Sequence, residues 1–401
     1  MSPGEAPVWD ALVGQDDAVV ALRGAAQAAT DLTHGRPAAP GAMTHAWLFI
    51  GPPGSGRSVA AQAFAAALQC ERDPDVGCGQ CSACRTVRAR SHPDVRSVVP
   101  EGLSISVEEM RAVVAAAARR PALGRWQVVV IEDADRLTER AANALLKAVE
   151  EPAQRTVFLL CAPSSHPDDV PVTIRSRCRL VALRTPPGAA VAAALQREGL
   201  DAATADWAAA AGQGHIGRSR RLVRDAAARD RRAAVLAIPA SLSTLRACLA
   251  AADHLVGAAE AEAVAMSGEL DSDETEALQT ALGAGGTGKG TATMARGMAG
   301  AVKDLERRQK SRATRTQRDA LDRALVDLAA FYRDVLLVHS RSHVAPAHPD
   351  FADDVRTVAT RVGPAGVLQR LDAVLACREA LELNVKPRIA VEAMTAALRL
   401  P

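Results

Sequence analysis

Aromatic residues are scarce: four Trp, five Phe and one Tyr make up 2% of 401 residues. A protein that stacks single-stranded bases, or that builds a large aromatic pocket, needs more. Charge of one sign is equally lacking. Lys and Arg number 48 and Asp and Glu 46, for a net +2. That excludes a protein whose main work is to grip DNA by charge alone. No apolar run approaches the ~18 residues of a membrane span. The opening MSPGEAPVWD has neither a basic start nor an apolar stretch, so no secretory signal is read and a cytoplasmic location is expected.

What is present is ordinary for a globular chain: 48% hydrophobic and 23% charged residues. At ~100–200 residues per domain the length predicts two or three domains. The eight cysteines are uneven. Cys70, Cys78, Cys81 and Cys84 cluster, whereas Cys161, Cys178, Cys248 and Cys377 stand singly in apolar or helical surroundings and read as small buried hydrophobes.

Up to about Leu183 short apolar runs alternate with helical stretches. Strands are predicted at 46–50, 95–99, 127–131, 156–161 and 178–183, and helices at 59–69, 107–120 and 139–150. This alternation predicts an α/β fold with a parallel sheet covered on both faces. Thr185-Pro186-Pro187-Gly188 then marks a boundary. Beyond it no strand is read. Leu321, Leu325, Leu328, Tyr332 and Val335 form a helical stripe expected to be core, and 283–300, rich in Gly, Thr and Ala, reads as a flexible insertion.

The first chemical signal is Gly51-Pro52-Pro53-Gly54-Ser55-Gly56-Arg57-Ser58, between a predicted strand and a predicted helix. Gly51, Gly54 and Gly56 let the backbone wrap a polyphosphate at a helix N-terminus, and Ser58 is placed to hold Mg²⁺. Arg57 stands where such loops carry lysine, a broad planar fork in place of a compact ammonium. A similar string, Gly283–Gly290, lacks the final Ser or Thr and any preceding strand, and reads as a linker. The second signal is the apolar run Val128–Ile131 ending in Glu132 and Asp133. NTPases place a Mg²⁺ ligand and a water-orienting acid there. The order in related ATPases is Asp then Glu, so each carboxylate here is displaced by about one methylene, a shift of ~1 Å that can cost ~10²-fold in rate.

The third signal is the spacing Cys70-x₇-Cys78-x₂-Cys81-x₂-Cys84. Four thiolates suit a closed tetrahedral zinc site with Zn–S of ~2.3 Å. An iron–sulfur cluster is the alternative, but its common run needs a further Cys-Pro, which Arg85-Thr86-Val87-Arg88 does not supply. The fourth is Ser176-Arg177-Cys178. An arginine at a subunit edge can act as a finger in a neighbour's nucleotide site, although by spacing alone a plain surface arginine is the simpler reading. The basic residues Lys303, Arg307, Arg308, Lys310, Arg312, Arg315 and Arg318 read as a solvated helix face, with contact to DNA phosphates as the sharper alternative.

Phosphate loop, cysteine cluster, Asn143–Pro152 and Ser176-Arg177-Cys178 occur in this order in a known family. The chain resembles the bacterial clamp-loader subunits, AAA+ proteins of the DNA polymerase III holoenzyme, and among them the delta-prime branch, because its nucleotide residues are altered. Val8–Gln15 and Asn384–Arg388 add to the likeness, which is dense over 8–184. The resemblance implies a RecA-like AAA+ P-loop domain (1–184) with an inserted zinc module (70–84), a small helical lid (185–235) and an all-α collar (236–401) through which five subunits form a ring. It implies zinc on the four cysteines and a degenerate ATP/Mg²⁺ site. It places Arg177 as a finger acting in trans on a gamma/tau ATPase, Ser164 or Ser165 at a first sensor and Arg218 near a second. The expected partners are gamma/tau and delta, and through the complex the sliding clamp and primed DNA. The rival expectations are a catalytically active gamma/tau-like ATPase and a zinc-dependent nucleic-acid-binding module.

Overall fold

The computed structural model describes residues 7–74, 76–281 and 291–400, with backbone alone at 281 and 291–299. The chain divides into two compact units, one of Met1–Pro100 with Ser104–Arg220 and one of Glu101–Leu103 with Arg221–Pro401.

The first unit runs α1 (Asp16–Thr33), β1 (Ala46–Ile50), α2 (Arg57–Gln69), α3 (Ser82–Arg88), β2 (Val95–Val98), α4 (Val107–Ala117), β3 (Gln127–Ile131), α5 (Glu139–Glu150), β4 (Thr156–Ala162), α6 (Val172–Arg175), β5 (Arg179–Ala182), α7 (Gly188–Arg197) and α8 (Ala202–Gly212). The five strands are parallel in the order β2-β3-β4-β1-β5. Leu48 lies beside Leu160 on β4 and beside Leu180 on β5, so β1 is an interior strand, paired on both sides. Its side chains alternate between two cores. Trp47, Phe49, Val128, Val130 and Leu159 pack with α1 and α2, and Trp47 meets Phe64 edge-on at 4.9 Å. Leu48, Val129, Ile131, Phe158 and Leu160 pack with α4 and α5. A strand buried on both faces needs an unbroken apolar run, which is why AWLFI and QVVVI form strands here. This is the α/β architecture that the alternation predicts, a parallel sheet with helices on both faces.

The helix starts are built from side-chain caps. Ser106 Oγ accepts from Glu109 N at 3.2 Å to open α4, and Thr138 Oγ1 accepts from Ala141 N at 3.3 Å to open α5, each satisfying one of the donors that a helix N-terminus orphans.

After α9 (Ile216–Arg224), within which the division falls, come α10 (Ala226–Leu236), α11 (Ile238–Ser241), α12 (Leu245–Ala281), α13 (Thr291–Ser340), α14 (Ala352–Arg361), α15 (Pro364–Glu382) and α16 (Pro387–Ala397). The second unit is helical throughout its described residues. Leu321, Leu325, Leu328, Tyr332 and Val335 are all buried in its core, as their spacing predicts. Two expectations change. Residues 291–300, read as part of a flexible insertion, are the first turns of α13, and the remainder of that stretch, with the decoy loop, lies outside the described residues. The basic run is not one solvated face. Arg312 bonds Glu274 at 2.6 Å and lies 3.7 Å from Asp271, because α12 presents acids to α13, and Arg318 bonds Asn384, past the end of α15, at 2.9 Å. Only Lys303, Arg307, Arg308 and Lys310 of that run are exposed.

Candidate functional site

Residues 51–58 leave β1 and enter α2 as a tight loop, with Gly56 capping the helix at a left-handed φ of 93°. Gly51 and Gly54 are required by close approach. A Cβ on Gly51 would lie 2.5 Å from the Leu183 carbonyl oxygen, and one on Gly54, whose φ is 85°, would lie 2.7 Å from His215 Cβ. Gln15, a buried side chain, braces the loop by donating to the Ser55 carbonyl at 3.1 Å and the Arg184 carbonyl at 2.6 Å. Ser55 Oγ and Arg57 Nη1 are buried and have no hydrogen-bond partner among the described residues. Unpartnered polar atoms in a closed loop at a helix N-terminus are what a phosphate would satisfy. Ser58 follows in the first turn of α2, half-buried.

The acids expected at the end of β3 are brought beside this loop. Arg57, Glu132, Asp133 and Asp135 all act electrostatically on Cys161 of β4, whose thiol burial pushes well up. Asp135 is raised by burial first and by Asp133 second, and its Oδ1 has no partner among the described residues. The two acids that a Mg²⁺ would use each face an arginine. Glu132 Oε1 accepts from Arg90 Nη2 at 2.9 Å. Asp133 sits at a left-handed φ of 55°, with Arg136 Nε 3.9 Å from its carboxylate. Buried, unpartnered Ser55 Oγ and Arg57 Nη1 suit a phosphate, whereas Glu132 and Asp133 both already face arginines.

Arg177 lies elsewhere, beyond α6. Its guanidinium pairs with Glu150 at 2.5 Å and donates to the Thr173 carbonyl at 2.8 Å and to Ser176 Oγ at 3.2 Å. Of the two sensor candidates Ser164 is tied locally, donating to Asp169 at 2.5 Å, and the Ser165 carbonyl accepts from Arg175 at 3.3 Å. The Arg218 N–H donates to His215 Nδ1 at 3.3 Å, and His215 is the side chain that packs over Gly54. Arg90 and Glu150 pair with Glu132 and Arg177, Asp135 is raised by burial near Asp133, and sequence reasoning assigns none of the three a role. Only Asp135, two residues past the strand acids, had a positional signal.

The cysteine cluster is assembled. The sulfurs of Cys70, Cys78, Cys81 and Cys84 all lie within 4.8 Å of one another, and Cys70 and Cys81 are 4.0 Å apart. A tetrahedral zinc with ~2.3 Å bonds sets an edge of about 3.8 Å, so the donor set fits such an ion. Backbone N–H groups of Cys81 and Cys84 donate to the sulfurs of Cys78 and Cys81, each at 3.4 Å, lowering the cost of thiolate charge. The Cys84 thiol holds Cys70 down to about 4 by donating to it, and that bond pushes Cys84 well up. The N-terminal segment clamps this knuckle: Val8 N donates to the Gly77 carbonyl and Trp9 Nε1 to the Val76 carbonyl, both at 3.0 Å.

Comparison with known proteins follows this geometry. A family described as DNA polymerase III, delta subunit, matches residues 28–187. The delta' subunit of DNA polymerase III from Pseudomonas aeruginosa is 40% identical over 149 residues, which are 36% of this chain and 45% of that one. The Escherichia coli delta' subunit is 36% identical over 38% of this chain and 46% of its own length. The tau subunit from Bacillus subtilis is 36% identical over 34% of this chain and 24% of its own length. The chain thus spans less than half the length of these relatives. A gamma subunit-related protein from Thermotoga maritima overlays at a TM-score of 0.37 with 16% identity, over 88% of this chain and 93% of that one. Among the described residues no helix is long and apolar enough to cross a membrane. The matched segment, residues 28–187, holds the 51–58 loop, the cysteine cluster and Arg177, and over about a third of its length the chain is similar to delta' and tau subunits of DNA polymerase III.

Proposed function

We propose that this chain is a delta-prime-like, non-motor subunit of a cytoplasmic clamp loader. It assembles with gamma/tau and delta subunits, helps place the sliding clamp on primed DNA, and supplies Arg177 to the nucleotide site of a neighbouring gamma/tau ATPase. Its own loop is a degenerate nucleotide site, and Cys70, Cys78, Cys81 and Cys84 hold a structural zinc. The observation that carries this reading is the pairing of altered nucleotide residues, Arg57 and the Arg90-bound Glu132, with an accessible Arg177, inside the segment that matches delta' sequences.

Chemically, Arg177 acts by charge. A guanidinium placed against a transferring phosphoryl group stabilises the charge that develops there, and such fingers are worth ~10³–10⁵ in rate. Arg177 is held at the start of that task by Glu150, the Thr173 carbonyl and Ser176, so less rotamer freedom is lost when a partner site closes on it.

The test is co-purification with gamma/tau and delta, followed by ATP hydrolysis by complexes carrying wild type or Arg177→Ala. The complex forms with both, and hydrolysis falls with Arg177→Ala; equal hydrolysis removes the trans role. The second reading, a working gamma/tau-like ATPase, draws on the likeness to tau subunits. It requires the isolated chain to turn over ATP at ~1 s⁻¹ or faster, the lower edge of ordinary enzyme rates.

A further inference from the structure

Arg90 stands just past the last turn of α3, where Ala89 N and Ser91 N bond back to the carbonyls of Arg85 and Thr86, both at 2.9 Å. Its φ is 55°, the left-handed helix-ending conformation that glycine or asparagine ordinarily fills. Here the position carries a long cation, and its guanidinium reaches 42 residues along the chain to Glu132. Glu132 is itself held in place by its N–H, which donates to the Val98 carbonyl at 2.9 Å. Its carboxylate is only 13% exposed, whereas Arg90 is 52% exposed.

The position matters because the acid at this strand end is where an NTPase of this architecture engages Mg²⁺. We infer that Arg90 takes the place of that ion: its charge sits on Glu132 and bars a divalent cation from the phosphate loop. The second acid gives no alternative foothold, since Asp133 is turned left-handed toward Arg136. Arg90 on Glu132 and Arg136 beside Asp133 thus give each strand-end acid a protein cation, which a dication would have to displace. α3 also opens on Cys81 and Cys84, so the cysteine knuckle anchors the helix whose far end delivers Arg90. This inference rests on reading 51–58 as a phosphate loop and is independent of Arg177.

The experiment uses the full chain, with ATP and Mn²⁺ as probes. ATP affinity is measured in EDTA and in Mn²⁺, with bound Mn²⁺ counted by electron paramagnetic resonance. Wild type shows no higher affinity in Mn²⁺ than in EDTA and retains no Mn²⁺. Arg90→Gly, which suits the left-handed backbone and keeps the fold, gains at least about tenfold in Mn²⁺, the scale of one charge-assisted contact. Arg90→Lys stays like wild type because the charge remains. Arg90→Gly with Glu132→Gln loses the gain. A wild-type chain whose ATP binding strengthens with Mn²⁺, or an Arg90→Gly chain with no Mn²⁺ response, overturns the inference. Neither result bears on hydrolysis by the assembled complex, so it fails separately from the clamp-loader reading.

Discussion

Arg177 pairs with Glu150 at 2.5 Å, the last residue of α5 gripping an arginine just past α6. Both side chains are more than a third exposed, so the pair contributes little to stability, ~0–1 kcal/mol. If Arg177 acts in trans as proposed, the pair serves to orient it. In the assembled complex Glu150→Gln is expected to slow hydrolysis at the neighbouring site several-fold while leaving Tm and assembly unchanged. Arg177→Ala lowers it further, and the double variant is no worse than Arg177→Ala. Single-turnover hydrolysis reads all three; an unaltered rate for Glu150→Gln detaches that residue from any positioning role.

Asp94 supports the sheet beside the site. It is 2% exposed and accepts from the backbone N–H groups of Ala122, Leu123 and Gly124 at 2.6, 2.8 and 2.5 Å. Burial works against its charge, but these donors outweigh it and hold the carboxyl below its usual range. Because the folded value lies below the unfolded ~3.9, the stabilisation is complete above that pH and is lost as pH falls through the folded value. Asp94→Ala leaves the donors unsatisfied and is expected to cost about 3 kcal/mol. Urea unfolding at pH 7 and pH 3 checks this: the gap between wild type and variant narrows in acid.

The cysteine cluster yields a metal prediction. The purified chain is expected to carry one zinc by elemental analysis, and a strong chelator or Cys78→Ser is expected to lower Tm markedly, since binding energy at such sites is folding energy. Cys161→Ser, a buried thiol of β4 outside the cluster, leaves the metal content intact. Equal zinc in wild type and Cys78→Ser would mean the metal is held elsewhere.

Much of the first unit was legible because parallel strands buried on both faces demand continuous apolar runs. Residues 46–50 and 127–131 are strands at the expected bounds, and α5 spans Glu139–Glu150 as read. The ends were less legible. α4 stops at Ala117, three residues before the expected Arg120, and β5 begins at Arg179 because Arg177 and Cys178 close a turn on Ile174 and Arg175. The 51–58 loop and the four cysteines stand out in the sequence because phosphate and metal binding each demand a fixed local spacing, and the fold brings the four sulfurs together. Arg90 could not: an arginine at a helix end has no local signature, and its partner is 42 residues away. The pairing of Arg312 with Glu274 was hidden likewise, since it depends on α12 and α13 running side by side.

That same adjacency makes Glu262 a hub in the second unit. Its side chain is 8% exposed and accepts from Arg221 at 2.5 Å and Arg323 at 2.8 Å, with Arg231 at 3.4 Å. Burial would raise this carboxyl, but the guanidiniums of Arg323 and Arg221 hold it below its usual range. Glu262→Gln keeps the shape and deletes the charge, leaving Arg323 without this acid and Arg221 and Arg231 with Asp225 alone to share. Removing one partner of a buried ion network costs about 3–5 kcal/mol, whereas losing any single arginine leaves the acid two others. Arg231→Ala, the longest of the three contacts, is therefore expected to cost well under half as much as Glu262→Gln. Chemical denaturation of the two variants decides between this hub and a set of independent surface pairs, which would make the two losses equal.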